Sequence, residues 1–235
     1  MGTAAVRRQT GRQAWAAIVL ATLTLLVLLS VWIAVVIFLG RALGLLHGLQ
    51  WYVGAFIVGI VLGEWSFLGL LVAWLARRGV SLQDLGWLRP TRASAIGLGV
   101  LAAAAYIALE MTTPTGRSYV LELTPLKLLV VVAALTAGVV EETLCRGFVI
   151  TQLAAARSGV AVQVVASGVV YAALHVAWGP LGILLTLPLG LAFAGIYVYG
   201  RRSLTPVMVS HALIDLVLEP GLLLFSLGGS AGGWK

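Results

Sequence analysis

One stretch decides the fold class of this chain: 126-LKLLVVVAALTAGVVEETLCRGFVITQLAA-155. It is long enough to cross a bilayer as a helix, because about 20 apolar residues span the hydrocarbon core. It also carries Glu141, Glu142 and Arg146 close together. Ionisable side chains are costly in a membrane and usually face a bundle interior or a wet cavity, where they serve a function. The stretch therefore predicts a membrane helix and a functional site on it.

The composition extends this prediction to the whole chain of 235 residues. It is 61% hydrophobic and only 10% charged, with a mean hydropathy of +1.06. The apolar runs are continuous, without the alternation of membrane β-strands, which favours helices. We expect an all-α, polytopic membrane protein, a bundle of about 7–8 transmembrane helices.

The apolar runs predict seven spans, and residues 219–230 could form an eighth membrane segment. We see no internal repeat and no low-complexity linker, so residues 1–235 are expected to form a single integral-membrane domain. The seven predicted spans are 14–40, 51–76, 94–111, 126–155, 160–178, 181–199 and 204–218.

The basic residues predict the orientation of the bundle. With the N-terminus in the cytoplasm, ten Lys and Arg residues fall on the cytoplasmic side and four on the other side. This bias follows the positive-inside rule, so we expect a multi-pass protein of the cell (plasma) membrane with a cytoplasmic N-terminus. The net charge of +7 then reflects short loops that meet lipid headgroups in the bilayer, not binding of nucleic acid.

Spacing suggests separate roles for the two neighbouring glutamates. Glu142 and Arg146 are four residues apart, so they share a helix face and can form a structural ion pair. Glu141 is the residue before Glu142, so on a helix its side chain points about 100° away from that of Glu142 and can face a cavity.

Three further residues can join Glu141. His175 lies as many residues after Ser158 as Glu141 lies before it, so an antiparallel hairpin places the two at one level. His211 and Asp215 are four residues apart in the last span. A carboxylate beside a histidine can take a proton from water. Two histidines and one or two carboxylates could instead hold zinc. Spacing leaves both chemistries open.

Three motifs in order give the chain a family resemblance. They are 141-EETLCR-146, 171-YAALH-175 and 211-HALID-215, each in a hydrophobic span, and 84-DLGW-87 precedes them. The chain resembles the CAAX-protease and bacteriocin-processing family of intramembrane endopeptidases, the CPBP or Abi family, within about residues 126–218. The family's first two motifs are EExxxR and FxxxH, so Tyr171 stands where phenylalanine is usual. The third motif, HxxxN/D, is present in its Asp form.

The resemblance implies roles for these residues. Glu141 and His175 would activate the attacking water, and His211 with Asp215 would form an oxyanion site or complete a metal site. Glu142 and Arg146 would be the structural pair. The metal site, in a metalloprotease, would take zinc, with His175, His211, Glu141 and Asp215 as its potential ligands. A metal-free glutamate mechanism is the alternative. An ionised Asp215 would repel an oxyanion, so it would be protonated, orient His211 or bind the metal.

The residues and the resemblance together predict an intramembrane endopeptidase that hydrolyses a peptide bond near the membrane interface. Its substrate would be a peptide or a membrane-anchored protein, in CAAX-type or small-peptide processing. A proton or metal-ion transporter could use the same residues, but its charges would be spread along a path through several spans. A non-catalytic immunity or scaffold protein on the same fold is a third alternative, against which the intact motifs argue.

Overall fold

The computed structural model describes residues 9–112, 125–176 and 179–226, and within these ranges it contains helices and no strand. The predicted all-α class is confirmed. Four helices are long and apolar enough to cross a membrane, and three shorter apolar helices accompany them. The α-helices of the described residues are α1 Gly11–Ala42, α2 Leu49–Ala76, α3 Ala93–Glu110, α4 Pro125–Glu142, α5 Val149–Ala155, α6 Val160–Leu174, α7 Gly179–Tyr199 and α8 Thr205–Ser226.

One predicted span is not a regular α-helix. Residues Thr143–Phe148 join α4 to α5 as a π-helical turn, here called the π segment. A π turn widens the helix and changes the direction of the side chains that follow it, and such turns are frequent at functional sites. The span 126–155 is helical throughout. Its π segment places the side chains in directions that differ from those of the regular α-helix that the sequence predicted.

Two other span ends differ from the prediction. Helix α6 ends at Leu174, so His175 caps the helix instead of lying inside it. Helix α8 continues to Ser226, so residues 219–226 extend the seventh span and do not start a separate eighth membrane segment. The rest of the predicted eighth segment, 227–230, lies outside the described residues.

Three helix pairs position the polar residues. Helix α8 packs against α4 and α3, and α7 packs against α6. Helix α4 approaches α8 closely at Gly138, where an added Cβ would lie 3.0 Å from the carbonyl oxygen of Met208. A larger residue would force these helices apart, so this glycine brings the two motif-bearing helices together.

The long polar loop between α2 and α3 packs against the bundle. A 3₁₀ turn, Leu82–Leu85, is closed at its start by a capping box between Ser81 and Asp84. Gly86 follows with φ 104°, a backbone conformation that favours glycine. The carbonyl of Leu85 accepts a hydrogen bond from Tyr197 Oη at 3.0 Å.

The loops after α2 and after α7 meet the start of α6 at one end of the bundle, here called the basic end. The Gly86 carbonyl accepts a hydrogen bond from the Leu204 amide at 3.0 Å, and Thr91 donates to the Gly200 carbonyl at 3.2 Å. Arg202 donates to Gln163 at 2.8 Å. These contacts join the loop after α2 to the loop between α7 and α8 and to α6. The helices therefore alternate in direction as the span prediction requires.

Candidate active site

The predicted ion pair between Glu142 and Arg146 is formed at the π segment. Arg146 Nη1 donates to Glu142 Oε1 at 2.8 Å, and both side chains are fully buried. Arg146 Nη2 donates to the Gly190 carbonyl at 3.3 Å. Its guanidinium lies 4.4 Å from the ring centroid of Tyr171. The pair therefore ties the π segment to α6 and α7 through charge, hydrogen bonding and ring contact.

Glu142 has a second contact that the spacing argument did not predict. His211 Nδ1 lies 2.8 Å from the same Oε1 atom that accepts from Arg146. On its other side, His211 Nε2 lies 3.2 Å from Asp215 Oδ2. The imidazole is thus held between two carboxylates from different helices. Glu142 is both part of an ion pair and a direct neighbour of a candidate catalytic histidine.

A sequence signal for the missed contact existed. Gly138 precedes Glu142 by four residues, so both lie on one face of α4. The small residue marks the face that another helix can approach closely, and that helix is α8 with His211.

The ring of His175 is oriented by its own helix. Its Nδ1 lies 2.8 Å from the carbonyl oxygen of Tyr171, one turn earlier. A carbonyl only accepts hydrogen bonds, so Nδ1 donates and the neutral ring has its lone pair on Nε2. The Tyr171 ring lies 4.7 Å from the His175 ring and 5.6 Å from the His211 ring, between centroids. Tyr171 therefore packs between the two histidines.

Glu141 connects the three motifs. It lies near enough to His175, His211 and Asp215 for electrostatic interaction, and these are the residues that the sequence predicted would converge. Its Oε2 atom is buried and has no hydrogen-bond partner among the described residues. A buried carboxylate oxygen without a protein partner requires an explanation, and a bound water is one. The structure brings Glu141, His175, His211 and Asp215 into one cluster.

Two other buried residues are not assigned a role in this cluster. Glu64 is buried in α2, which carries none of the three motifs. Cys145 is fully buried in the π segment, and its carbonyl accepts a hydrogen bond from Ser167 Oγ at 2.8 Å. A thiol buried in apolar surroundings is usually unreactive.

The loop motif 84-DLGW-87 also contacts the candidate site. Trp87 Nε1 donates to Thr143 Oγ1 at 3.1 Å, and Thr143 in turn donates to the Val139 carbonyl at 2.6 Å. Thr143 directly follows Glu142 at the start of the π segment. The loop therefore supports the backbone that carries the two glutamates.

Comparison with known proteins agrees with the motifs. The family model "Type II CAAX prenyl endopeptidase Rce1-like" matches residues 123–217. The predicted resemblance to the CAAX-protease family is confirmed. No curated protein and no solved structure matches the chain. With the apolar helices, the match supports a multi-pass membrane protein and, in broad terms, a CAAX-type protease.

The zinc site that the family resemblance implies can be compared with the side chains of the cluster. A catalytic zinc usually has three protein ligands. The described residues include no group of three or more His, Cys, Asp or Glu side chains placed to hold a metal. Both ring nitrogens of His211 lie against carboxylates, so this ring would have to leave one of them to bind zinc. The side chains as arranged do not fit the predicted zinc site.

Proposed function

We propose that this chain is an intramembrane endopeptidase that hydrolyses a peptide bond near the membrane interface. The observation that carries the proposal is the placement of Glu141, which lies near both motif histidines and whose buried Oε2 has no hydrogen-bond partner among the described residues. A carboxylate in this position can hold and deprotonate a water molecule. The match to a CAAX endopeptidase family supports the same reaction class.

Water activation is assigned to Glu141 and His175. The Tyr171 carbonyl holds His175 Nδ1–H, so the Nε2 lone pair can accept a proton. In the proposed step, the water oxygen attacks the peptide carbonyl carbon and its proton passes to Glu141 or His175. The same proton then goes to the leaving amine as the carbon–nitrogen bond breaks.

Stabilisation of the oxyanion is assigned to His211. Glu142 accepts from Nδ1, and Asp215 lies beside Nε2, so the ring orientation is determined from both sides. A protonated ring donates to both carboxylates, so it would act on the developing oxyanion through its positive charge and not through a hydrogen bond. Of the three roles that the sequence left open for Asp215, this proposal assigns it the orientation of His211. The positive charge of the protonated ring offsets the negative charge of the Asp215 carboxylate.

The proposed substrate is a peptide or a membrane-anchored protein, such as a CAAX-type C-terminus, presented from the cytoplasm. The family match supports CAAX-type substrates, and the positive-inside bias supports a cytoplasmic basic end in the plasma membrane.

The function is tested with purified protein in liposomes and one CAAX-type peptide in farnesylated and unmodified forms. Mass spectrometry should detect a cleaved product with the wild type, and His175→Ala should lower its rate by about 10²- to 10⁴-fold. His47→Ala is the matched control, because this exposed histidine precedes α2 outside the motifs. A fully active His175→Ala variant would refute the assignment. Proton or metal-ion flux without cleavage would favour a transporter.

We also propose that hydrolysis proceeds without zinc, with Glu141 polarising the water itself. The supporting observation is that His211 is already held by two carboxylates. Metal analysis of active, detergent-purified protein should show no stoichiometric zinc, and cleavage should persist after treatment with a chelator. Stoichiometric zinc that is lost in both His175→Ala and His211→Ala would establish a metalloprotease and require His211 to rearrange.

A further inference from the structure

A cavity lies away from the candidate active site, between α1 and α2. Its volume is about 300 Å³, at the lower end of the range for small-molecule sites. Apolar side chains form most of its lining, including Leu20 on α1, Phe67 and Leu70 on α2, and Phe148 of the π segment. Leu20 and Leu70 are more than half exposed, so the cavity opens as a groove on the outer surface of these two helices.

The shape of the groove matches one acyl chain. Its lining on α2 extends from Phe67 to Arg77. Ten residues of α-helix rise about 15 Å, which is about half of the hydrocarbon core, the depth of one leaflet. In a bilayer, an exposed apolar groove of this length along two membrane helices is in contact with lipid chains.

Two arginines at the end of the groove favour a lipid with an anionic headgroup. Arg77 is the one charged residue among the described lining residues, and it follows the last residue of α2. Arg78 is next to it, with its guanidinium 3.9 Å from the ring centroid of Trp74, another lining residue. Both arginines are exposed. An arginine pair at the helix end can bind a phosphate at headgroup level while the chain lies below it.

The groove also contacts the π segment. Phe148 is the last residue of the π segment, and its ring packs edge-to-face with Trp74 at 5.8 Å between centroids. A lipid in the groove would therefore touch Trp74 and Phe148. Phe148 belongs to the same π segment as Arg146. No motif residue lines this cavity.

We infer that the α1–α2 groove is a binding site for an anionic phospholipid, with the phosphate on Arg77 and Arg78 and one acyl chain between Leu20, Leu70 and Phe148. The inference does not depend on the proposed protease activity, since binding is measured without substrate. If the activity is as proposed, lipid occupancy will also raise it by stabilising the π segment.

Binding is tested on the detergent-purified full chain with phosphatidylglycerol and phosphatidylcholine of identical acyl chains. Native mass spectrometry should detect retained phosphatidylglycerol, which should also raise the Tm more than phosphatidylcholine does. Glycerol 3-phosphate, which has the headgroup charge but no chain, should raise neither signal. Equal responses to both lipids, or to glycerol phosphate alone, would overturn the site.

Variants separate the two halves of the site. Arg77→Gln should weaken phosphatidylglycerol binding by about fivefold, the equivalent of one basic residue at a membrane surface. Ala73→Trp, at an exposed lining position, should block the chain and abolish the Tm shift. Arg201→Gln is the matched control, an exposed basic-end arginine outside the lining. Wild-type lipid binding by Arg77→Gln would refute the inference, even if protease activity is established.

Discussion

Glu141→Gln is expected to lower peptide cleavage by about 10²- to 10⁴-fold, the usual contribution of a general base. The amide has nearly the same shape as the carboxyl group but cannot take a proton from water. Oε2 of Glu141 has no hydrogen-bond partner among the described residues, so the change breaks no hydrogen bond of that atom. The Tm should stay near that of the wild type while the rate falls.

The control for this prediction is Glu64→Gln, the same chemical change at another buried membrane glutamate outside the motifs. It should retain cleavage per folded molecule. Glu142→Gln should differ from both, because its Oε1 atom contacts Arg146 and His211 at once. We expect it to lower both the Tm and the rate. Wild-type cleavage by Glu141→Gln would remove this residue from the mechanism.

Arg146→Met is expected to destabilise the protein by about 3–5 kcal/mol, because it removes the guanidinium that pairs with the buried Glu142 carboxylate and leaves the buried cluster with an uncompensated negative charge. Arg146 and Glu142 are both fully buried, so water cannot replace the lost partner. The contacts of Arg146 with the Gly190 carbonyl and the Tyr171 ring are lost as well. Thermal and denaturant unfolding in detergent measure the effect.

A matched control for Arg146 exists on the surface. Arg92 also lies over an aromatic ring, 4.8 Å from the Tyr199 centroid, but it is exposed. Arg92→Met should cost only about 0.5–1 kcal/mol, as exposed cation–π contacts do. In the Arg146→Met background, Glu142→Gln should recover part of the stability, because it removes the excess negative charge that the loss of the guanidinium leaves in the cluster. Equal effects of the two arginine variants would show that the buried pair is not structural.

Much of the fold followed from the sequence because hydropathy is a local property. A membrane helix must be apolar along about 20 residues, and each predicted span was confirmed as a helix whose start lies within a few residues of the prediction. The π segment did not follow, since its backbone depends on the packing of Gly147 against Leu85 and on the hydrogen bond from Trp87 to Thr143. These contacts join residues that are far apart in the chain.

The sequence by itself determined the all-α class and the helical spans, and it predicted the residues of the candidate site. Ionisable side chains are too costly in a membrane to be placed without a partner, so their positions, together with the three motifs, predicted the set Glu141, Glu142, Arg146, His175, His211 and Asp215. Only the tertiary structure decided which groups are partners. It placed His211 against Glu142 and against Asp215, because the close approach of α4 and α8 sets distances that spacing along one helix cannot.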